Sequence, residues 1–179
     1  MLYVSQTKTT PPEAFRSPLQ EKVYAALQQL NIPFTRVDND PAITMEDCIA
    51  IDQRLEVKTV KTLLLCNRQQ TMFYLFVTAG DKPFRSKDFS HALEISRVSF
   101  ATEEHLQTFL GTEIGATTIY SVLLDTARDV QLVFDRQVLE DPWYGCTDGT
   151  TTGYMRVATD DIIKKLLPYA NRSYKVISV

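Results

Sequence analysis

Hydrophobic residues recur at helical spacing in two stretches, Leu19–Leu30 and Ile162–Leu167. The first follows Ser17-Pro18, a pair typical of an N-cap with proline at the first helical position. Thr159 precedes the second stretch and is its predicted cap. Further helices are predicted from Thr44, over Ser86–Leu93, at the turn Gln137–Leu139, and from Thr102 to Leu110. We expect no capping box at Thr102, because Glu104 stands only two residues after it.

Short apolar runs rich in β-branched and aromatic residues predict strands between these helices. They are Phe34–Val37, Val60–Cys66, Met72–Thr78, Arg97–Phe100, Ser121–Leu124, Val130–Asp135, Tyr154–Val157 and Lys175–Val179. The polar run 67–70 predicts a hairpin, and 142–153 is interpreted as a loop. The interleaving predicts an α/β (α+β) domain with a mixed, largely antiparallel central sheet and surrounding helices.

The polar N-terminus predicts an extended, loosely held extension over residues 1–17, followed by a single domain over 18–179. It lacks the apolar core of a signal peptide, and no run is long enough to cross a membrane. Three cysteines and two histidines stand without metal-ligand spacing, so neither disulfides nor a metal site is expected. These features predict a cytoplasmic protein without a membrane partner.

Charge is distributed unevenly along the chain. The formal net charge is −3, which counts against a broad nucleic-acid-binding surface. The window from Arg54 to Arg97 nevertheless holds eight basic and four acidic residues. Such a window suits an anionic partner held at one end, although an ordinary solvated surface explains it too.

Lys61 is the first candidate for chemistry, because it opens an otherwise apolar strand. Burying an ammonium group is costly. Either the side chain reaches water from the strand end, or it anchors a phosphate or carboxylate. The residues alone leave both interpretations open.

Two loops rich in glycine and threonine are the other candidates, residues 111–118 and 146–152. The backbone of the first could bind an anion or oxyanion, and the hydroxyls and carboxylate of the second could bind a polar ligand. Plain turns would explain both. The chain has no nucleophile-elbow, P-loop, dinucleotide or zinc-protease motif, so no cofactor is expected. A cysteine hydrolase using Cys146 with His91 or His105 stays open as an alternative.

In order and spacing, these segments resemble the YbaK/ProX family of aminoacyl-tRNA deacylases, related to the editing domain of prolyl-tRNA synthetase. The resemblance runs from about Leu19 to Leu167. It is carried by Leu30-Asn31-Ile32-Pro33-Phe34, Val37-Asp38-Asn39-Asp40-Pro41, Val60-Lys61-Thr62-Leu63-Leu64-Leu65, Gly80-Asp81-Lys82, Val98-Ser99-Phe100-Ala101-Thr102-Glu103-Glu104, Leu110-Gly111 through Gly115 to Tyr120, and 145–151.

The resemblance implies hydrolysis of the ester that joins a wrong, small amino acid to the terminal adenosine of a tRNA, without a cofactor. Lys61 would steer the nucleotide end, and the backbone at Gly115 and Ala116 would polarise the ester carbonyl. The amino-acid pocket would be lined by Thr117, Thr118, Cys146, Asp148 and Thr150. An aminoacyl-tRNA synthetase is a further expected partner.

Two positions depart from the family pattern. Ile119 stands where the glycine-rich loop usually has proline, and Cys146 stands where the later loop usually has histidine. A cysteine cannot act as a neutral histidine base near pH 7. The departures suit a divergent subfamily with another substrate. They also leave open a catalytically silent module that binds tRNA or a synthetase.

Overall fold

The computed structural model describes all 179 residues, which form two β-sheets and surrounding helices. The strands are β1 Thr35–Asp38, β2 Val60–Asn67, β3 Phe73–Ala79, β4 Val98–Phe100, β5 Gln131–Asp135, β6 Trp143–Thr147, β7 Gly153–Ala158 and β8 Lys175–Ile177. The α-helices are α1 Pro18–Gln29, α2 Cys48–Leu55, α3 Ser86–Leu93, α4 Glu103–His105, α5 Arg136–Glu140, α6 Thr159–Asp161 and α7 Leu167–Tyr169. Short 3-10 helices span Ile119–Leu123 and Asp125–Ala127, and π-helical turns span Leu106–Leu110 and Ile162–Leu166.

The predicted fold class is confirmed, although the strands divide between two sheets instead of forming one central sheet. The smaller sheet has the order β1-β7-β6 and is antiparallel throughout. The larger has the order β4-β2-β3-β5-β8, with antiparallel pairs at β4-β2-β3 and parallel pairs at β3-β5-β8. The β2–β3 hairpin, which the polar run 67–70 predicted, is present.

In the main core, α1, the 3-10 helix Ile119–Leu123 and the helical segment 159–169 pack against one face of the larger sheet. Ser17 caps α1 as predicted, because its side chain accepts a hydrogen bond from the amide of Gln20. An aromatic cluster packs α3 against the opposite face of that sheet. A third cluster lies between α2 and the small sheet.

Strand β6 was missed by the sequence pattern, which treated it as part of a loop. It contains Gly145, and glycine is uncommon within strands. A Cβ atom at Gly145 would lie 2.8 Å from Val57 Cγ1 and 3.1 Å from the carbonyl oxygen of Lys58. Glycine lets β6 approach the start of β2, where Gly145 forms a parallel bridge with Thr59 that joins the two sheets.

Several other local predictions were wrong. The predicted strand Ser121–Leu124 is mostly 3-10 helix, because Ser121 donates its hydroxyl proton to the Leu110 carbonyl within a buried turn. The helix predicted from Thr44 begins at Cys48. A capping box does exist at Thr102, where His105 supplies the reciprocal acceptor in place of an acidic residue. Thr159 is the first residue of α6, and Ala158 is its N-cap.

The N-terminal arm is extended, as predicted, but it is not loosely held. Val4 and Lys8 form antiparallel bridges with Asn39 and Arg36, which continues the small sheet. The Lys8 amide donates to the Arg36 carbonyl at 2.8 Å, and the reverse hydrogen bond has the same length. The division into an extension over 1–17 and a domain over 18–179 remains a prediction.

Candidate active site

A cleft of about 360 Å³ lies where the first half of β2 approaches the end of β6. Twelve of its 19 lining residues are hydrophobic, and Lys61 is the only charged one. The walls are formed by segments 43–48, 59–64, 100–106, 114–117 and 146–147, together with Tyr154. The structure therefore brings Lys61, Gly115, Thr117 and Cys146 to one cavity.

One wall of the cleft is an open strand edge. On this side of β2, β4 pairs only with residues 65–67, and the Ala101 amide donates to the Leu64 carbonyl at 2.9 Å. Backbone groups of an antiparallel strand point to alternate sides. The N–H and C=O of Thr62 are therefore directed toward the cleft, where no strand pairs with them.

Lys61 is half-buried and lines the cleft, and its ammonium is held by the turn that follows β3. Its Nζ donates a hydrogen bond to the carbonyl oxygen of Lys82 at 2.6 Å, and it forms no ion pair. An ammonium group has three donors, so two remain for a ligand. The structure thus supplies a positive charge, not balanced by any carboxylate, beside an apolar cavity.

The loop that contains Gly115 packs against the segment at Ile43. Gly115 has a φ of +88°, and a Cβ atom there would lie 2.9 Å from Ile43 Cα. The amides of Gly115 and Thr117 form no hydrogen bond within the protein, although both residues line the cleft. Unpaired amides that face a ligand can stabilise negative charge on an ester oxygen.

The backbone donor predicted at Ala116 is wrong. The Ala116 amide already donates to the Glu113 carbonyl at 3.1 Å, which closes a tight turn, and the residue is fully buried. Thr117, predicted only as a lining residue, provides the available amide beside Gly115.

Thr118 lies outside the cleft, contrary to the prediction. Its buried hydroxyl donates to the Thr147 carbonyl at 2.9 Å and accepts from the Tyr120 amide at 3.3 Å. It thereby caps the 3-10 helix that begins at Ile119 and ties the glycine loop to β6. This cap holds the loop end immediately before Ile119, where the family usually has proline.

Asp148 and Thr150 do not line the cleft either, so their predicted role in the amino-acid pocket is wrong. The Asp148 carboxylate accepts hydrogen bonds from Gln20 Nε2 at 2.9 Å, from the Tyr24 hydroxyl at 2.8 Å and from the Thr150 hydroxyl at 2.7 Å. Burial raises the pKa of Asp148, and these donors oppose the increase. The network connects α1 to the β6–β7 turn and is structural.

Neither cysteine in the cleft is an activated nucleophile. Burial raises the pKa of the Cys146 thiol and raises that of Cys48 to about 11. Both thiols are therefore protonated near neutral pH, whereas the thiolate is the reactive form. His91 and His105 do not line the cleft. The geometry thus gives no support to the cysteine-hydrolase alternative.

Several lining residues were missed by sequence reasoning. They include Thr62, whose backbone groups face the cleft, together with Phe100 and Tyr154. No motif marks them, since the first depends on strand pairing and the others on how the two sheets meet. No three of the His, Cys, Asp and Glu side chains cluster in a way that could hold a metal ion. None of the helices has the length and apolar character needed to cross a membrane.

Comparison with known proteins assigns the chain to a family. The sequence profile of the aminoacyl-tRNA editing domain matches residues 39–165, which contain every segment of the cleft. The chain belongs to the aminoacyl-tRNA editing domain family. The family assignment agrees with the resemblance noted in the sequence.

Individual relatives support the assignment. The chain is 31% identical over 120 residues to the prolyl-tRNA editing protein ProX of Acetoanaerobium sticklandii, covering 67% of this chain and 73% of that protein. It is 25% identical over 150 residues to the prolyl-tRNA synthetase associated domain-containing protein 1 of Danio rerio, covering 83% and 81%. A solved structure described as a candidate trans-editing enzyme for prolyl tRNA synthetase shares the fold, with a TM-score of 0.64, 18% identity and coverage of 92% and 99%.

Proposed function

We propose that this editing domain acts in trans and hydrolyses the ester of a tRNA mischarged with a small, uncharged amino acid. The observation that carries the proposal is the composition of the cleft: one cation, available backbone amides and no carboxylate or imidazole. Such a site suits hydrolysis of an activated ester, which needs charge stabilisation more than side-chain acid–base catalysis.

In this mechanism, the two remaining N–H donors of Lys61 hold the anionic or ribose end of the terminal nucleotide. The amides of Gly115 and Thr117 bind the ester carbonyl oxygen as it gains negative charge. Water adds to the carbonyl carbon with assistance from the neighbouring ribose hydroxyl. The ester C–O bond then breaks, and the ribose oxygen leaves with a proton.

The size and lining of the cleft favour a small amino-acid side chain, because the ribose must share a cavity of about 360 Å³. A charged amino-acid side chain would lose its hydration there, and only an acidic one would find a counter-ion, which is Lys61. The names of the relatives make the tRNA for proline, charged with a wrong amino acid, the first substrate to assay. They make prolyl-tRNA synthetase the first protein partner to test for binding.

The test is release of amino acid from a panel of tRNAs, each charged with a different amino acid. The Lys61→Met variant is compared with Lys164→Met, which removes an exposed lysine from the last helical segment. A hydrogen bond from a charged donor is worth about 1.5–3 kcal/mol, so Lys61→Met is expected to reduce kcat/KM about 10- to 100-fold. Lys164→Met should retain wild-type kinetics.

Two outcomes would contradict the proposal. Equal rates for Lys61→Met and wild type would remove Lys61 from the mechanism. Salt-sensitive tRNA binding by a wild-type protein that releases no amino acid above background would identify the silent binding module instead.

A further inference from the structure

Phe100 is an exposed aromatic residue at the mouth of the cleft. It ends β4, its exposed fraction is 62%, and it lines the same cavity as Lys61 and Gly115. The only other phenylalanine among the exposed large hydrophobic residues is Phe15, at 40%. Clustered exposed apolar side chains mark contact surfaces, and Phe100 shares the cleft with the exposed side chains of Ile43 and Ile114.

The ring of Phe100 packs against other aromatic rings. It lies 5.5 Å from the ring of Phe84, which in turn lies 6.1 Å from the buried ring of Phe89. The backbone of Phe100 pairs with Leu65 in the larger sheet. Because strand pairing and aromatic packing both restrain it, Phe100 offers a preformed platform that a ligand need not order.

The platform continues the wall that carries Lys61. The Lys61 ammonium is bound to the carbonyl of Lys82, two residues before Phe84, and Arg85 follows immediately. Arg85 is exposed and forms no ion pair. We call Phe84, Arg85 and Phe100 the ledge. It adjoins the cleft at Phe100, which lines the cavity, and continues through Phe84 and Arg85, which do not.

We propose that the ledge binds the unpaired 3′ end of the tRNA, with a base next to the terminal adenosine stacked on Phe100 and a phosphate near Arg85. The proposal rests on the proposed function, since the strand must leave the cleft once its terminal nucleotide is bound. Aromatic stacking suits such a strand, because every base has a π-face.

Charge has a minor part in this contact. Arg85 is the only charged residue of the ledge, and two acidic residues, Glu103 and Glu104, follow Phe100 closely in the chain. The ledge is therefore not a strongly basic patch, and stacking supplies most of its contribution. The effect of losing the ring should persist when salt is raised, unlike the loss of a phosphate contact.

The experiment compares two substrates carrying the same amino acid, a mischarged tRNA and the 3′ ester of adenosine alone. Stacking energies imply that Phe100→Ala raises KM for the tRNA about tenfold at unchanged kcat, while Phe100→Trp keeps KM near the wild-type value. The adenosine ester lacks the neighbouring nucleotide, so its KM should rise much less than the KM of the tRNA in Phe100→Ala, and Arg85→Ala, outside the cleft, should leave it unchanged. Tyr169→Ala is the matched control, because Tyr169, in α7, is 46% exposed and does not line the cleft.

A parallel measurement follows binding of an uncharged oligoribonucleotide ending in CCA by fluorescence anisotropy. Phe100→Ala should weaken its binding about tenfold, and Arg85→Ala should weaken it less. Arg128→Ala is the control for the loss of an exposed arginine. This arm remains decisive even if the wild-type protein hydrolyses neither ester, a result that would reject only the proposed function.

Two results would overturn the proposal. Unchanged tRNA kinetics and oligonucleotide binding in Phe100→Ala would show that the ledge does not contact RNA, leaving a protein partner as its occupant. Equal loss of activity on both substrates would show that Phe100 merely shapes the cleft around the ester.

Discussion

Replacing Gly115 by alanine should reduce catalysis far more than it reduces stability. A Cβ atom at this position would lie 2.9 Å from Ile43 Cα and 3.2 Å from Ile43 Cβ. The first of these is a backbone atom, so no rotamer change relieves the contact. The φ of +88° is also unfavourable for alanine. The loop and the Ile43 segment must therefore move apart.

The two effects differ in size. Strain at an unfavourable φ costs about 1–3 kcal/mol of unfolding free energy. A displacement of about 1 Å at a catalytic position can cost about 10²-fold in rate. We expect Gly115→Ala to stay folded and to lose about 10²-fold in kcat/KM, because the amides of Gly115 and Thr117 move with the loop.

Gly111→Ala provides the matched control in the same loop. Gly111 has a φ of +64°, and a Cβ atom there would lie 2.9 Å from Leu124 Cδ1. The end of a leucine side chain can move, and Gly111 does not line the cleft. We expect a similar loss of stability, about 1–2 kcal/mol, with wild-type kinetics.

The assay pairs urea unfolding of each variant with steady-state deacylation of a mischarged tRNA. Wild-type kcat/KM in Gly115→Ala would refute the assignment of this loop to the site. So would equal losses in the two variants, because the effect would then follow stability alone.

Three further predictions concern the residues around the cleft. Burial raises the pKa of Asp148 above its usual 3.8, so the native state keeps this proton to higher pH than the unfolded chain does, and the free energy of unfolding should decline as pH rises between the two pKa values. Urea unfolding at several pH values should show that this decline is missing in Asp148→Asn, and parallel curves for the two proteins would contradict the prediction. Thr118→Ala removes the cap and the bond to Thr147, so its unfolding free energy should fall by about 1–2 kcal/mol, with Thr118→Ser close to wild type; equal stability of both variants would show that the hydroxyl is dispensable. Cys146→Ser should retain deacylation, and its complete loss in a folded variant would restore the cysteine-hydrolase alternative.

The fold could be predicted where local pattern and tertiary structure agree. The Ser17 cap of α1 and the β2–β3 hairpin follow from short-range signals that need no distant contact. Strand β6 could not be predicted, because the need for glycine at position 145 comes from a tertiary contact. The segment at Val57 and Lys58 passes too close to leave room for a Cβ atom there. The segment 121–124 is apolar and short, and such a run does not distinguish a strand from a buried helical turn.

The same limit applies to the site. Lys61 and Gly115 were predicted from the unusual charge and the glycine-rich loop, together with the family resemblance. Asp148 was predicted from its polar character, yet its oxygen atoms are occupied by donors from α1 more than 120 residues away in sequence. The sequence alone does not show whether a polar group already has a hydrogen-bond partner within the protein. The Ala116 amide is a backbone example, because it donates to the Glu113 carbonyl.

The cleft also limits how such an enzyme can discriminate among amino acids. Cys146, in place of the usual histidine, presents a neutral thiol, and the neighbouring wall is largely apolar. An apolar pocket distinguishes side chains that differ by one methylene by only about 10–200-fold, whereas a site built around a specific hydrogen bond can reach about 10⁴. In the proposed mechanism the ester chemistry uses backbone amides and Lys61, so it does not depend on this position. On this mechanism we expect cysteine in place of histidine to change which side chain fits while hydrolysis is retained.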